Sequence, residues 1–148
     1  MKILIATDGS EYGDAAVSYA ANELAANSRA EFKVVTVLEP AAGTELEMII
    51  ESTEQLLDAH NQLFMNAETV VQEGAKVLKD SGAVSVEHEV LAGPPARSIV
   101  EMADEWNADL IVVGSHGRGF WSRALLGSVS DSVSKHAKCS VLVVRKKA

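Results

Sequence analysis

Five short apolar runs alternate with stretches of helical periodicity, and this order constrains the fold more than any other feature of the chain. The runs cover residues 2–7, 32–38, 84–90, 110–113 and 140–144. Runs with apolar residues on both sides are typical of strands that are buried on two faces of a parallel sheet. Strands that alternate with helices predict an α/β fold, a single-domain three-layer α/β/α sandwich around a five-stranded parallel sheet.

Four segments between the runs have the periodicity of helices. The first follows the turn Asp8-Gly9-Ser10, and its apolar residues are Ala15, Ala16, Tyr19, Ala20 and Leu24. In the second, apolar pairs recur every seven residues: Ile49, Ile50, Leu56, Leu57, Leu63, Phe64, Val70, Val71, Val77 and Leu78. This spacing predicts a helix with one apolar stripe against the sheet, and residues 43–54 belong to it or form a separate loop or helix. The third begins at Pro94-Pro95, and its buried face is Ile99, Val100, Ala103 and Trp106. The fourth begins at Ser128, with Val129 and Val133 facing inward.

Two strands have the features of sheet edges. Val84, Val86, His88 and Val90 alternate with polar residues, so this strand has one polar face and belongs near an edge. The last run, 140–144, is apolar and would be an exposed edge unless something covers it.

The composition indicates one soluble globular domain, residues 1–148. With 47% hydrophobic and 23% charged residues, a chain of this length buries a core without disulfides. Its 21 acidic residues outnumber 13 basic ones, which argues against a surface for nucleic acid or anionic membrane. Cys139 is the only cysteine, and the sequence has neither a signal segment nor an apolar run that could span a membrane. We therefore expect a cytoplasmic protein.

The stretch 114–130 is the strongest functional signal, because four of the 10 glycines fall within its first fourteen positions. Gly114, Gly117 and Gly119 can adopt positive φ and turn their N–H groups toward one concavity. Ser128 has the spacing of a helix cap, and a helix N-terminus attracts phosphate. The stretch carries Arg118 and Arg123 but no carboxylate before Asp131. These features predict a phosphate-binding loop, and a flexible surface loop is the alternative.

Two better-known phosphate motifs do not fit this loop. A Walker A loop requires a Gly-Lys pair, and none occurs in the sequence. Gly117-Arg-Gly119-Phe-Trp-Ser122 places serine where the third glycine of a dinucleotide fingerprint belongs, and it follows a late strand.

The turn after the first strand is the second predicted part of a site. In α/β sheets, ligands bind beyond the carboxyl ends of the strands, where the strand order reverses. If the first and fourth strands are neighbours, Ala6-Thr7-Asp8 and the glycine loop face one crevice. Asp8 would accept hydrogen bonds from ribose hydroxyls or hold a metal ion, and the loop would bind phosphates.

Other residues with chemical potential have simpler interpretations. For His116, a solvent-facing loop residue is the preferred interpretation, and a general base or a phosphate ligand is the alternative. For Cys139, a small core residue is the preferred interpretation, and a reactive thiol is the alternative. The remaining histidines lie on separate elements, so we expect no transition metal held by the protein.

Gly114, Gly117, Gly127 and Ser128 fit the pattern Gly-x2-Gly-x9-Gly-Ser/Thr at every spacing. Through them the chain resembles the universal stress protein family, whose nucleotide-binding members carry this pattern. Residues 3–10 and 141–145 also look like the family's first and last strands, and the resemblance covers the chain apart from 43–66. It implies one universal stress protein domain with a Rossmann-like fold of the adenine nucleotide alpha hydrolase type.

The resemblance also implies an ATP site and a homodimer. Ala6, Thr7 and Asp8 would approach the ribose, and the backbone of Val37 would meet adenine. The phosphates, with Mg²⁺ on them and Asp8 assisting, would be held by the loop and the following helix: Gly114, Gly117, Arg118, Gly127, Ser128, Val129 and Ser130. The last strands of two copies would pair through Ser140, Val141, Leu142, Val143 and Val144, which agrees with the exposed apolar edge.

The chain departs from the family pattern at two places. Cys139-Ser140 stands where the family commonly has Cys-Pro, and Phe120-Trp121 stands where smaller or polar residues are common. We expect the two aromatic rings to pack against the protein and not against the ligand.

These observations favour an ATP-binding regulatory protein of the stress response. No base, Gln or Lys that would make hydrolysis fast is evident, so no catalytic residue is predicted. One alternative is a slow ATPase or autophosphorylating protein with Ser122, Ser128 or Ser130 as acceptor. Another is a nucleotide-free dimeric interaction module that docks through Phe120 and Trp121.

Overall fold

The computed structural model describes residues 1–39, 53–117 and 125–147. Its strands are β1 (Lys2–Ala6), β2 (Glu31–Leu38), β3 (Ser85–Ala92), β4 (Leu110–Gly114) and β5 (Ser140–Val144). Its helices are α1 (Glu11–Glu23), α2 (Thr53–Asp80), α3 (Pro95–Trp106) and α4 (Ser128–His136). The strands form one parallel sheet in the order β3-β2-β1-β4-β5. The predicted α/β fold with five parallel strands is confirmed.

The strands bury side chains on both faces of the sheet. Ile3 and Ile5 belong to the core under α1 and α2, whereas Leu4 and Val35 belong to the core under α3 and α4. Because β1 is flanked by β2 and β4, its residues from Ile3 to Ala6 are all buried. This two-sided burial explains why the run reads as continuously apolar.

The predicted positions of β3 and β5 at the edges of the sheet are confirmed. On β3, Glu87 and Glu89 lie 3.2 and 3.5 Å from the ammonium group of Lys33 on β2. On β5, Val141, Leu142 and Val143 are half-buried. The outer edge of β5 therefore offers apolar side chains and backbone groups to another strand.

Helix α1 begins as its turn chemistry predicts. Ser10 is the N-cap, and its hydroxyl oxygen accepts a hydrogen bond of 3.3 Å from the N–H of Gly13. The buried face is Gly13, Ala16, Val17, Ala20 and Ala21. Tyr19, predicted on that face, is 40% exposed.

The apolar stripe of α2 packs on the sheet only along the second half of the helix. Ala67, Val71, Ala75 and Leu78 are buried, but Leu57, Leu63, Phe64 and Val77 are exposed, contrary to the prediction of one buried stripe. A helix of 28 residues is about 42 Å long, whereas a strand of 8 residues spans about 26 Å. The first turns of α2 therefore extend past the carboxyl end of β2. Residues 46, 49 and 50, and nearly all of 43–54, lie outside the described residues.

Helix α3 begins at Pro95, which suits the first helical position because that residue needs no N–H partner. Ile99 and Ala103 are buried as predicted, and Val100 and Trp106 are half-buried. Asn107 ends the helix in the left-handed conformation. No helix of the described ranges is long and apolar enough to cross a membrane.

Candidate functional site

A cleft of about 820 Å³ opens at the carboxyl ends of β1, β2 and β4. Its walls are the start of α4, the start of α3 and the part of α2 around Asn66 and Val70. The strand order reverses here, because β1 pairs with β2 on one side and with β4 on the other. The adjacency of the first and fourth strands is thus confirmed, and the cleft has the volume and position of a ligand site in an α/β protein.

The turn after β1 holds the Asp8 carboxylate in a fixed orientation. Its Oδ1 accepts hydrogen bonds from the N–H of Ser10 at 2.9 Å and from the Ser10 hydroxyl at 2.5 Å. The Thr7 N–H donates to the Val35 carbonyl at 3.0 Å, which ties the turn to β2. Asp8 lines the cleft with this carboxylate already ordered.

Gly13, which was not among the predicted site residues, makes this turn possible. A Cβ atom at position 13 would lie 2.4 Å from Thr7 Oγ1 and 2.9 Å from Asp8 Oδ1. Only glycine lets the first turn of α1 come this close. The sequence signal was a glycine three residues after the Ser10 cap, inside a predicted helix.

Hydrogen bonds close the base of the glycine loop. The Gly127 N–H donates to the Ser115 carbonyl at 2.7 Å, and the Ser115 N–H donates to the Val144 carbonyl at 2.9 Å. The Ser130 hydroxyl lies 3.0 Å from both the Ser115 and the Gly127 carbonyl oxygens and is buried. Ser130 therefore holds the loop together, which argues against its proposed role as phosphoryl acceptor.

His116 is buried, so its interpretation as a solvent-facing residue is wrong. Its Nε2 lies 2.5 Å from the Leu125 carbonyl and its Nδ1 lies 2.9 Å from the Ser115 hydroxyl. Because a carbonyl can only accept, Nε2 carries the proton and Nδ1 accepts from Ser115. The imidazole ring also packs against the ring of Tyr12, with 5.1 Å between the two ring centroids. His116 thus joins the two ends of the glycine loop.

Gly114 and Gly117 allow close approach of neighbouring atoms and do not adopt positive φ. Among the described glycines, positive φ occurs at Gly9, Gly82 and Gly93, and not at Gly114 or Gly117. Instead, a Cβ at 114 would lie 2.5 Å from the Tyr12 carbonyl oxygen, and one at 117 would lie 3.3 Å from Asp8 Oδ2. The prediction of positive φ is therefore wrong for Gly114 and Gly117, and Gly119 lies outside the described residues.

The start of α4 offers backbone donors to the cleft. Gly127 is the N-cap and Ser128 is the first helical residue, so the prediction that Ser128 caps the helix is wrong. The N–H groups of Ser128, Val129 and Ser130 have no acceptor among the described residues, as the geometry of a first helical turn requires. Unpaired N–H groups and the helix dipole make this end favourable for an anion.

The structure brings nearly all predicted site residues to this cleft. Those that line it are Ala6, Thr7, Asp8, Val37, Gly114, Gly117, Gly127, Ser128, Val129 and Ser130. The predictions for Arg118, Gly119, Phe120, Trp121, Ser122 and Arg123 concern residues outside the described ranges.

Comparison with known proteins identifies the family. The model of the universal stress protein family matches residues 1–145. The chain belongs to the universal stress protein family. A universal stress protein of Methanocaldococcus jannaschii is 37% identical over 147 residues, which cover 98% of this chain and 82% of that protein.

Solved structures of universal stress proteins share the fold. UspA from Lactobacillus plantarum is 27% identical and has a TM-score of 0.79, with 98% of this chain and 97% of that chain covered. A universal stress protein crystallised in complex with cAMP is 31% identical and has a TM-score of 0.71, with 99% and 98% covered.

Several residues of this universal stress protein line the cleft without having been predicted. They are Thr36 and Glu39 on and after β2, Asn66 and Val70 on α2, and Pro94 to Arg97 at the start of α3. The residues after β2 and β3 were foreseeable, because the carboxyl ends of parallel strands lie at one edge. The α2 residues were not, because their position depends on how the helix crosses the sheet.

The described part of the chain contains no cluster of three or more His, Cys, Asp or Glu side chains that could hold a metal ion. Cys139 precedes β5 and so lies at the opposite end of the sheet from the cleft. Burial, aided by Asp104 and Asp109, raises the pKa of the Cys139 thiol. A raised pKa keeps the thiol protonated at neutral pH, which agrees with a packing role.

Proposed function

We propose that this universal stress protein is a regulatory module that binds ATP in the cleft. The observation that carries the proposal is that Asp8 and the unpaired N–H groups at the start of α4 line the same cleft. A carboxylate suits ribose hydroxyls, and N–H groups at a helix start suit phosphates. Asp8 and the start of α4 would together bind the ribose and the phosphates of a nucleotide.

The cleft also has a place for the adenine base and enough volume for the whole nucleotide. Val37 and the buried Thr36 lie at the carboxyl end of β2, where a base can stack on apolar groups and bond to the backbone. The volume of about 820 Å³ lies within the range of small-molecule sites. The related universal stress protein in complex with cAMP supports an adenine nucleotide as the ligand class.

Mg²⁺ fits this proposal as an ion held mainly by the nucleotide. Asp8 lines the cleft next to Gly117 of the glycine loop, and Mg²⁺ is commonly bound by one or two carboxylates together with phosphates. Bound there, Mg²⁺ would neutralise phosphate charge. The residue that would assist it is Asp8, whose carboxylate Ser10 already orients.

A binding role is favoured over fast catalysis by the groups that line the cleft. Both ring nitrogens of His116 face acceptor or donor groups of the loop, and the Ser130 hydroxyl faces two carbonyls. These groups are used for structure, so neither is poised as a general base. Nucleotide occupancy would then act through its contacts with the start of α4.

We also infer that two copies pair along β5. Strand β5 has its partner β4 on one side, and Val141, Leu142 and Val143 are half-buried along it. Pairing with a second β5 would cover this apolar edge and satisfy its backbone groups.

Titration calorimetry with ATP and Mg²⁺ tests the binding proposal. Gly127→Glu should weaken ATP binding by about 10-fold or more, because it places a carboxylate at the phosphate end of the cleft. Ser28→Glu adds the same charge to the exposed turn between α1 and β2, at the other end of the sheet, and should change affinity by less than about 2-fold. Thermal unfolding checks that both variants fold. A wild-type protein with no measurable nucleotide affinity would refute the proposal.

The alternatives predict different products after long incubation with ATP and Mg²⁺. Unmodified ATP and an unchanged protein mass would exclude a slow ATPase and autophosphorylation. A phosphoryl group on the protein should map to the exposed Ser128 or to Ser122, and not to the buried Ser130. Nucleotide released from freshly purified, denatured protein would exclude a nucleotide-free interaction module.

A further inference from the structure

A second depression, of about 460 Å³, lies beside the cleft and shares Ser128 with it. Its other lining residues are Leu125, Leu126, Asp131 and Arg145. We call it the outer depression. Since Ser128 lines both spaces, a ligand that lies along the start of α4 can extend from the cleft into the outer depression.

The strand register explains why Arg145 reaches this place. Val144 is the partner of Gly114, and its carbonyl accepts the Ser115 N–H at 2.9 Å, so the next residue emerges beside the base of the glycine loop. Val144 packs in the core on the α1 side, whereas Val143 packs on the α4 side. Because side chains alternate along a strand, Arg145 falls on the α4 side.

The charges around Arg145 leave its guanidinium available for an anion. Asp131, the carboxylate that shares the outer depression, lies 2.8 Å from Lys135. The neighbouring Lys146 is paired with Glu11. Arg145 is exposed and makes no hydrogen bond or ion pair with the residues that the structure describes.

We propose that Arg145 is a specificity residue that distinguishes nucleotides by the length of their phosphate chain. This inference rests on the proposed nucleotide site. The first phosphates would bind the N–H groups of α4 in the cleft, and a terminal phosphate that extends past Ser128 would meet the Arg145 guanidinium. A guanidinium binds phosphate through paired, charge-assisted hydrogen bonds. A monophosphate has no phosphate beyond the one that the α4 N–H groups bind, so it gains nothing from Arg145.

The test compares the affinities of ATP, ADP and AMP in the wild type, Arg145→Gln and Arg145→Lys. Arg145→Gln should weaken ATP binding about 5- to 10-fold, the effect of one partly screened charged hydrogen bond, and AMP binding less than about 2-fold. Arg145→Lys keeps the positive charge but lacks the paired N–H donors of a guanidinium, so its ATP affinity should lie between those of Arg145→Gln and the wild type.

The matched control is Lys147→Gln, which removes the same charge two residues further along the chain. It should leave the ratio of ATP to AMP affinity unchanged. Equal losses for ATP and AMP in Arg145→Gln, or an effect of Lys147→Gln as large as that of Arg145→Gln, would overturn the inference alone. A wild type that binds no nucleotide would overturn the proposed function and this inference together.

Discussion

Gly114 and Gly117 have different physical reasons to be glycine, although both follow the same strand. At Gly114 a Cβ would lie 2.5 Å from the backbone oxygen of Tyr12, so the first turn of α1 touches the end of β4. At Gly117 the nearest atom is a carboxylate oxygen of Asp8 at 3.3 Å, which a small side-chain movement relieves. Gly114 therefore sets the packing of α1, and Gly117 sets the space beside Asp8.

Alanine substitutions distinguish these two reasons, because each adds one methyl group. Gly114→Ala should lower the free energy of unfolding by about 1–3 kcal/mol, the usual range for overpacking against backbone. Gly117→Ala should lower it by less than about 1 kcal/mol. Urea denaturation followed by circular dichroism measures both values. Equal losses would show that the approach of α1 to β4 is not rigid.

At the scale of elements, α2 performs two tasks with its two halves. The half around Val71 and Leu78 buries apolar side chains against β2 and β3. The half before Asn66 extends past the sheet, and every residue whose burial is described there is exposed. Asn66 and Val70, at the junction of the halves, line the cleft. The length of α2 therefore provides a wall for the site and not additional core.

Leu78→Ala and Leu57→Ala make the same chemical change in the two halves. Leu78 is 0% exposed, so its loss leaves a cavity and should cost about 2–5 kcal/mol of unfolding free energy. Leu57 is 57% exposed, and its loss should cost less than about 0.5 kcal/mol. Chemical denaturation measures both. A comparable loss at Leu57 would mean that a partner covers this half of α2 in solution.

At the scale of the whole molecule, the proposed dimer depends on the backbone of β5. The carbonyl of Val144 faces β4, and backbone groups alternate along a strand, so the N–H of Val143 faces the open edge. Proline at an edge position removes an outward N–H without removing a bond of the existing ladder. A substitution at Val143 therefore tests dimer pairing separately from the fold.

Sedimentation velocity of Val143→Pro makes that test. The wild type should sediment as a dimer at about 10–50 μM, and Val143→Pro should be largely monomeric, because the shared ladder loses hydrogen bonds at both copies of the site. Val143→Thr keeps the N–H and a similar shape, and it should remain dimeric. A dimer of unchanged stability in Val143→Pro would place the interface elsewhere.

The sequence by itself determined the fold class and most of the candidate site. Short apolar runs such as residues 3–6 can be satisfied only by burial on both faces, and the alternation with helical segments then requires a parallel sheet. Parallel strands bring their carboxyl ends to one edge, which is why the turn at Asp8 and the loop at Gly114 were placed together correctly. The spacing of Gly117, Gly127 and Ser128 indicated membership of the universal stress protein family.

Only the tertiary structure decided what depends on contacts between distant elements. The burial of His116 and Ser130 arises because two ends of one loop are bonded across the sheet edge, and the need for Gly13 arises because α1 packs tightly on the β1 turn. The exposure of Leu63 follows from the length of α2 relative to the sheet, and the place of Arg145 follows from the register of β5. Periodicity records which side of an element is apolar, but it does not record where along its length the neighbouring element ends.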